Sequence, residues 1–324
     1  MAARLNPAFS RPPEIIDLRR LTARDLGPLL EEETAAWLDE MEWDFGKSAE
    51  LVRRFVDLRA LNGSALIEDG EVAGYSYYVL EDSKALIGDV YVRRASRTVE
   101  RQNALLESAL EPIMANSFIG RIESQLMMAG LAPGRAAPYA DYLSVYERNF
   151  MRLDLGRAAL AEGNVRRPMY LEKWSDHYQE AAAQAIAAAY VGHIDSRIND
   201  QYRSGGGARR FLYNITQSPG CGVFFRPASY VALEAVSGRL CGLSLTSLVA
   251  PGCGHITQIC VTPTVRGTGI GHALLRQSLI SLREADCRSA SLTVTAANED
   301  AVALYERVGF RTVRRFPAYV WEGF

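Results

Sequence analysis

The segment Gly70-Glu71-Val72-Ala73-Gly74-Tyr75-Ser76 returns 168 positions later (Gly70 to Gly238) as Gly238-Arg239-Leu240-Cys241-Gly242-Leu243-Ser244. Two more echoes follow in order. Val90-Tyr91-Val92, Arg97 and Ala104-Leu105-Leu106 match Ile259-Cys260-Val261, Arg266 and Ala273-Leu274-Leu275 at an offset of 169 (Arg97 to Arg266). Tyr146-Glu147-Arg148 with Phe150 then matches Tyr305-Glu306-Arg307 with Phe310. Ordered repetition of this length means a duplicated unit, so each half must be able to build the same fold. A chain of 324 residues has room for two such domains.

Periodicity predicts the same succession in both halves. In the first, a strand near Ile15 to Leu18 precedes helices near Asp25 to Met41 and Ala49 to Leu61. Strands near Ala65 to Ile67, Val72 to Leu80 and Ala85 to Val92 follow, then a helix near Glu100 to Ala115 and a strand near Ile122 to Met127. A short helix ending near Arg148 and a strand near Met151 to Leu155 close this half. The second half offers a helix over Gln179 to Tyr190, strands near Ser229 to Glu234, Leu240 to Val249 and His255 to Val261, and a helix over Gly269 to Arg283. A strand at Ser291 to Thr295, a helix at Asp300 to Val308 and closing strands complete it. Antiparallel strands leading into β-α-β make a mixed α/β sheet flanked by helices. The linker is expected around Gly156 to Arg167, which places the domains at 1–157 and 165–324.

Composition excludes several classes of function. With 36 Lys or Arg against 38 Asp or Glu, the net charge of −2 leaves no basic stripe for nucleic acid or an anionic membrane surface. Leu240 to Val265 carries no Asp, Glu, Lys or Arg, but Pro251, Gly252 and Gly254 interrupt it. Two buried strands and a turn fit better than a membrane span. Met1 to Glu14 lacks the apolar run of a signal peptide. The five cysteines (Cys221, Cys241, Cys253, Cys260, Cys287) form no Cys-x-x-Cys pair, and the four histidines have no metal-site spacing. Reduced thiols in the cytoplasm and no metal are expected.

The most informative stretch runs from Gln258 to Leu275. An apolar strand enters Arg266-Gly267-Thr268-Gly269-Ile270-Gly271-His272, and an amphipathic helix follows. Glycines there let a ligand approach backbone N–H groups at a helix N-terminus, a seat for phosphate or pyrophosphate. A Walker loop would need Lys after Gly271, and a dinucleotide fingerprint would need Gly where His272 stands.

Arg266-x-x-Gly269-x-Gly271, with Val261-x-Pro263 before it and Asn298 and Leu304-Tyr305-x-x-x-Gly309-Phe310 after it, resembles the acetyl-CoA site of the GCN5-related N-acetyltransferase (GNAT) superfamily. The close match covers about Ser229 to Phe316. With the repeat, the whole chain is similar in plan to tandem acetyltransferases. The resemblance implies two GNAT-like domains, acetyl-CoA as cofactor, and a small-molecule amine or peptide acceptor that attacks directly. It implies that N–H groups from Gly267 through Thr268, Gly269 and Ile270 to Gly271, bordered by His272, hold the pyrophosphate, with Arg266 adding charge. The edge of Ile259 to Val261 would pair with the pantetheine arm in a splay against Ser291 to Thr295, and a backbone N–H of Cys260 or Val261 would polarise the thioester. Tyr305 would protonate the leaving thiolate. Asn298 would cap its helix or touch the cofactor.

The base is left open among His255, Glu234, and Asp195 with Tyr202. His193 to Gly207, ending in Gly205-Gly206-Gly207, is expected to be a mobile lid. Cys260 is expected to be a buried strand residue, since no neighbour supplies the base a nucleophile needs. In the first copy Glu100 and Gln102 replace Gly269 and Gly271, where a carboxylate would repel pyrophosphate and a side chain would fill its seat. That copy is expected to be catalytically silent, even though Tyr146 is kept, and to serve the acceptor cleft or an interface, with a homodimer as a candidate assembly. The rival reading is a CoA-binding sensor without turnover; a nucleotide-dependent oxidoreductase is third.

Overall fold

The computed structural model describes residues 13–129, 137–217, 220 and 222–324. Cys221 and the greater part of Met1 to Glu14 lie outside them. The elements are β1 (Glu14–Asp17), α1 (Ala23–Met41), α2 (Gly46–Asp57), β2 (Asn62–Glu68), β3 (Glu71–Glu81), β4 (Lys84–Val92), α3 (Val99–Met114), β5 (Arg121–Gln125) and β6 (Leu143–Asp154). They continue with β7 (Met169–Lys173), α4 (Gln179–Ala189), α5 (Asp195–Ile198), α6 (Gly205–Gln217), β8 (Val223–Phe224), β9 (Tyr230–Glu234), β10 (Leu240–Ala250) and β11 (Cys253–Val261). The chain ends with α7 (Ile270–Glu284), β12 (Ser289–Thr295), α8 (Glu299–Val308) and β13 (Arg311–Glu322).

Two compact units emerge, and neither is continuous in sequence. The first takes the chain up to Ala36, then Ala49–Ser144 and Tyr319–Phe324; the second takes Trp37–Ser48 and Val145–Ala318. The expected division at 1–157 and 165–324 therefore differs from this partition at both ends. An apolar knot explains the first exchange: Trp37 stacks on Phe45 with centroids 5.1 Å apart, and Trp43 packs on Phe150 and His255 of the second unit.

In the first unit β1, β2, β3 and β4 are antiparallel neighbours, and β4 runs parallel to β5. Leu105, Leu106, Leu110 and Ile113 of α3 pack on Leu66, Ala73, Ile87, Val90 and Val92. The second unit has the order β13-β6-β12-β11-β10-β9-β7, with β8 paired to β10 and only β11–β12 parallel among these registers. Leu275, Leu279 and Leu282 bury one stripe of α7 against Ile256, Leu292 and Val294, each contributing roughly 1.5–3 kcal/mol of transfer free energy. On the other face Ile186 of α4 and Leu212 of α6 cover Val231, Leu243 and Leu245.

The duplication is physical as well as textual. A Cβ at Gly74 would lie 3.0 Å from Leu105, and one at Gly242 would lie 3.0 Å from Leu274, so each repeated glycine lets the central helix lie flat on its strand. The third sequence echo fails. Tyr146, Glu147 and Arg148 lie on strand β6, whereas Tyr305 lies on helix α8. The predicted short helix ending near Arg148 is likewise replaced by a 3-10 turn at Ala140–Tyr142 and by β6. Gly205-Gly206-Gly207 is also corrected: these residues open α6, whose Ala208, Leu212 and Ile215 are buried, and do not form an irregular lid.

Candidate acyl-transfer site

The site begins where two strands part. The parallel register of β11 with β12 runs from Cys253↔Ser289 to Ile256↔Leu292 and ends there. Opposite, the β10 register skips Thr257, a bulge that increases local twist. The first unit does the same one repeat earlier, skipping Gly88 and ending β4–β5 pairing at Ile87↔Ser124. Thr262 donates its N–H to Cys241 of β10 at 2.8 Å. By strand alternation Cys260 also faces β10, and the backbone groups of Ile259 and Val261 face the opening. Val261, rather than Cys260, is thus the N–H directed into the splay.

The glycine turn follows. Gly267 and Gly269 have φ of 72° and 88°, in the left-handed region, and Gly269 is the N-cap of α7 without any side-chain capping bond. The first-turn N–H groups of α7 therefore have neither intrahelical acceptors nor a side chain to meet them. A Cβ at Gly271 would find its nearest neighbour, Val261, at 3.9 Å, so this glycine leaves open space. Thr268 turns its hydroxyl inward to the Val265 carbonyl at 2.6 Å. Ile270 is buried beneath the turn.

The linker braces this turn. Arg166 donates its N–H to the Thr268 carbonyl at 2.9 Å, Arg276 donates to Leu160 at 2.7 Å, and Leu160 is buried in the core. The backbone of Asn164 crosses against Gly269, and Gly163 lies under the His272 ring. His272 thus packs on the linker, where burial lowers its pKa. The Arg266 guanidinium donates to the Ala189 carbonyl and ties the turn to the end of α4, so its charge is engaged with backbone and not aimed at the glycine seat.

In the first unit the equivalent turn is closed by its own side chains. Thr98 caps α3 by accepting from the Arg101 N–H at 3.2 Å, Glu100 occupies the first turn, and Gln102 is buried. Arg101 is held by Glu68 and by the Ser96 carbonyl.

Tyr305 is buried on α8 beside Phe310. Burial raises its phenol pKa strongly; the Asp195 charge adds to the rise and Arg148 opposes it. Asn298 caps α8 by accepting from Ala301 and also lies 3.2 Å from His193 Nε2. Two expected bases are corrected. His255 is buried against Trp43 and Phe150 and bonded to Ser291 at 2.9 Å, and burial pushes its pKa down to about 3, leaving a packed neutral ring. Glu234 ends β9, bonded to Ser237 and paired with Arg239 and Arg167; the Ser237 hydrogen bond and then Arg239 lower its pKa below the usual carboxylate range. Cys260 is a thiol, its pKa pushed up to about 12 by burial.

Sequence reasoning missed one network. Asp195 Oδ1 accepts from Arg148 Nη1 at 3.0 Å and from the Thr295 hydroxyl, and Arg148 also reaches Thr295 at 2.9 Å. Arg148 was hidden by the mistaken helix. On β6 it lies opposite Thr295 in register.

The chain has similar sequences and folds among known proteins. Residues 198–310 match the family model described as Acetyltransferase (GNAT) family. That segment of the chain resembles the GNAT family. A mycothiol acetyltransferase of Streptomyces avermitilis is 30% identical over 163 residues, covering 50% of this chain and 49% of that protein. An Arabidopsis thaliana N-alpha-acetyltransferase, MAK3, is 31% identical over 70 residues, 22% of this chain and 37% of that one. The chain spans about half, or less, of the length of the curated relatives it matches. In fold it is similar over 96% of its length to a GCN5-related N-acetyltransferase from Sphaerobacter thermophilus (95% of that chain, TM-score 0.69, 18% identity). It is also similar over 96% to a tandem GNAT protein from the clavulanic acid biosynthesis pathway (98% of that chain, TM-score 0.55, 18% identity). These GNAT neighbours share the doubled fold. Among the described residues no helix is long and apolar enough to cross a membrane.

Proposed function

We propose that the chain is a cytoplasmic, acetyl-CoA-dependent N-acetyltransferase whose chemistry resides in the second unit. The carrying observation is the uncapped glycine turn of α7, opening beside the unpaired edge of β11. The residues fit the cofactor: free N–H groups at a helix start suit a pyrophosphate, and the exposed edge at Ile259 and Val261 suits an amide-bearing arm. Acetyl-CoA, when bound, supplies the acyl thioester. Val261 N–H donates where negative charge develops on the carbonyl oxygen. The Tyr305 phenol stays protonated at neutral pH and can give its proton to the departing sulfur. A primary amine in a small molecule or peptide is the acceptor, and nucleic acid is not expected.

The first unit is proposed to be silent, because Thr98 and Glu100 occupy the start of α3. The test is acetyl transfer from acetyl-CoA to a panel of primary amines, followed by product mass; no transfer to any amine by a protein that binds acetyl-CoA would reject turnover. A sensor without turnover is the second reading, favoured by the loss of both His255 and Glu234 as bases.

A further inference from the structure

The Asp195 carboxylate is used on one side only. Its side chain is 13% exposed, and Oδ1 takes both Arg148 Nη1 and the Thr295 hydroxyl. Oδ2 has no hydrogen bond among the described residues; His193 Nδ1 lies 3.7 Å away, beyond hydrogen-bond reach. A largely buried carboxylate oxygen with unfilled lone pairs calls for a donor.

The surroundings say which donor. Thr295 ends β12, one of the two strands that part, and Asp195 is near enough to Tyr305 for its charge to act on the phenol. His193 Nδ1 accepts the Asp195 N–H at 3.1 Å. Tyr190 stacks on Tyr202 with centroids 4.1 Å apart and meets His193 edge-on at 5.1 Å. A largely buried carboxylate oxygen with no donor of its own suits a cation with several N–H donors.

We propose that Asp195 anchors the ammonium group of a cationic primary amine, with Arg148 and Thr295 as positioning residues that fix the carboxylate through Oδ1. This rests on the acetyltransferase reading and adds to it the acceptor's charge state on arrival. A neutral isostere offers a single hydroxyl donor and no charge, so the site should prefer the amine.

The experiment is saturation-transfer NMR on the full chain loaded with CoA, using phenethylamine and butylamine as probes and phenethyl alcohol and butanol as uncharged twins. The variants are Asp195→Asn and the double variant Arg148→Met/Asp195→Asn, which leaves no unpaired buried guanidinium if the single change unfolds the unit. The amines should bind wild type better than their twins and bind both variants about tenfold or more weakly, as loss of a charged hydrogen bond implies, with the alcohols unchanged. Amines that bind the variants as tightly as wild type, or that bind wild type no better than the alcohols, overturn the proposal. CoA affinity, measured separately by calorimetry, reports on the acetyltransferase reading alone.

Discussion

Gly269 and Gly271 sit two residues apart in one turn, yet the structure predicts opposite outcomes for the same substitution. Gly269 has φ of 88°, which costs a side-chain-bearing residue about 1–2 kcal/mol. Its Cβ would also stand 2.3 Å from the Asn164 carbonyl oxygen, so backbone must move. That backbone is held by the Arg166–Thr268 bond and the Arg276–Leu160 bond on either side. Overpacking of this kind adds about 1–3 kcal/mol. Gly269→Ala should then lose about 2–5 kcal/mol, or roughly 4–20 °C in the melting of a unit this size. Gly271→Ala has ordinary space beside Val261 and no positive φ, so its melting temperature should stay within about 2 °C of wild type. Scanning calorimetry of the full chain, with acetyl-CoA affinity by titration, reads both. A Gly269→Ala protein that melts with wild type would refute the claim that linker and glycine turn are one braced structure.

Tyr305→Phe should lower kcat about 10²- to 10⁴-fold while acetyl-CoA affinity is kept, checked by steady-state kinetics beside calorimetry. Because burial raises the Tyr305 pKa, loss of the acid form should appear only above about pH 10, and a pH–rate profile would show it. His255 has a folded pKa near 3 against 6.5 unfolded, so its neutral form stabilises the fold above pH 6.5 and that contribution drains away as pH falls toward 3. His255→Phe should blunt this acid sensitivity in melts between pH 7 and 4 and spare catalysis; a collapse of kcat would restore His255 as a base. Asp89 in the first unit has its pKa raised by burial, so its favourable contribution lies at low pH and is lost as pH rises through the folded value. Asp89→Asn should therefore raise melting temperature at pH 8 more than at pH 4.

Much of the fold was legible because the relevant interactions are local. The α7 stripe of Leu275, Leu279 and Leu282 repeats at helical spacing, and the glycine turn announces the start of that helix. The splay edge was legible only through resemblance. What stayed hidden depends on distant chain. Trp43, which converts His255 from a candidate base into a core ring, arrives from a connection more than 200 positions upstream. Arg148 was concealed for a different reason: Tyr-Glu-Arg words recur on a strand and on a helix, and only the pairing of Arg148 with Thr295 decides between them. Glu234 looked available because sequence does not show that Arg167 and Arg239 converge on it.

Native mass spectrometry of the full chain titrated with acetyl-CoA tests the central claim most directly, by counting cofactors per polypeptide in wild type and Gly271→Glu. One bound cofactor, lost in the variant, is the result expected for a single working site at α7. Two per chain, or one that survives Gly271→Glu, would contradict it.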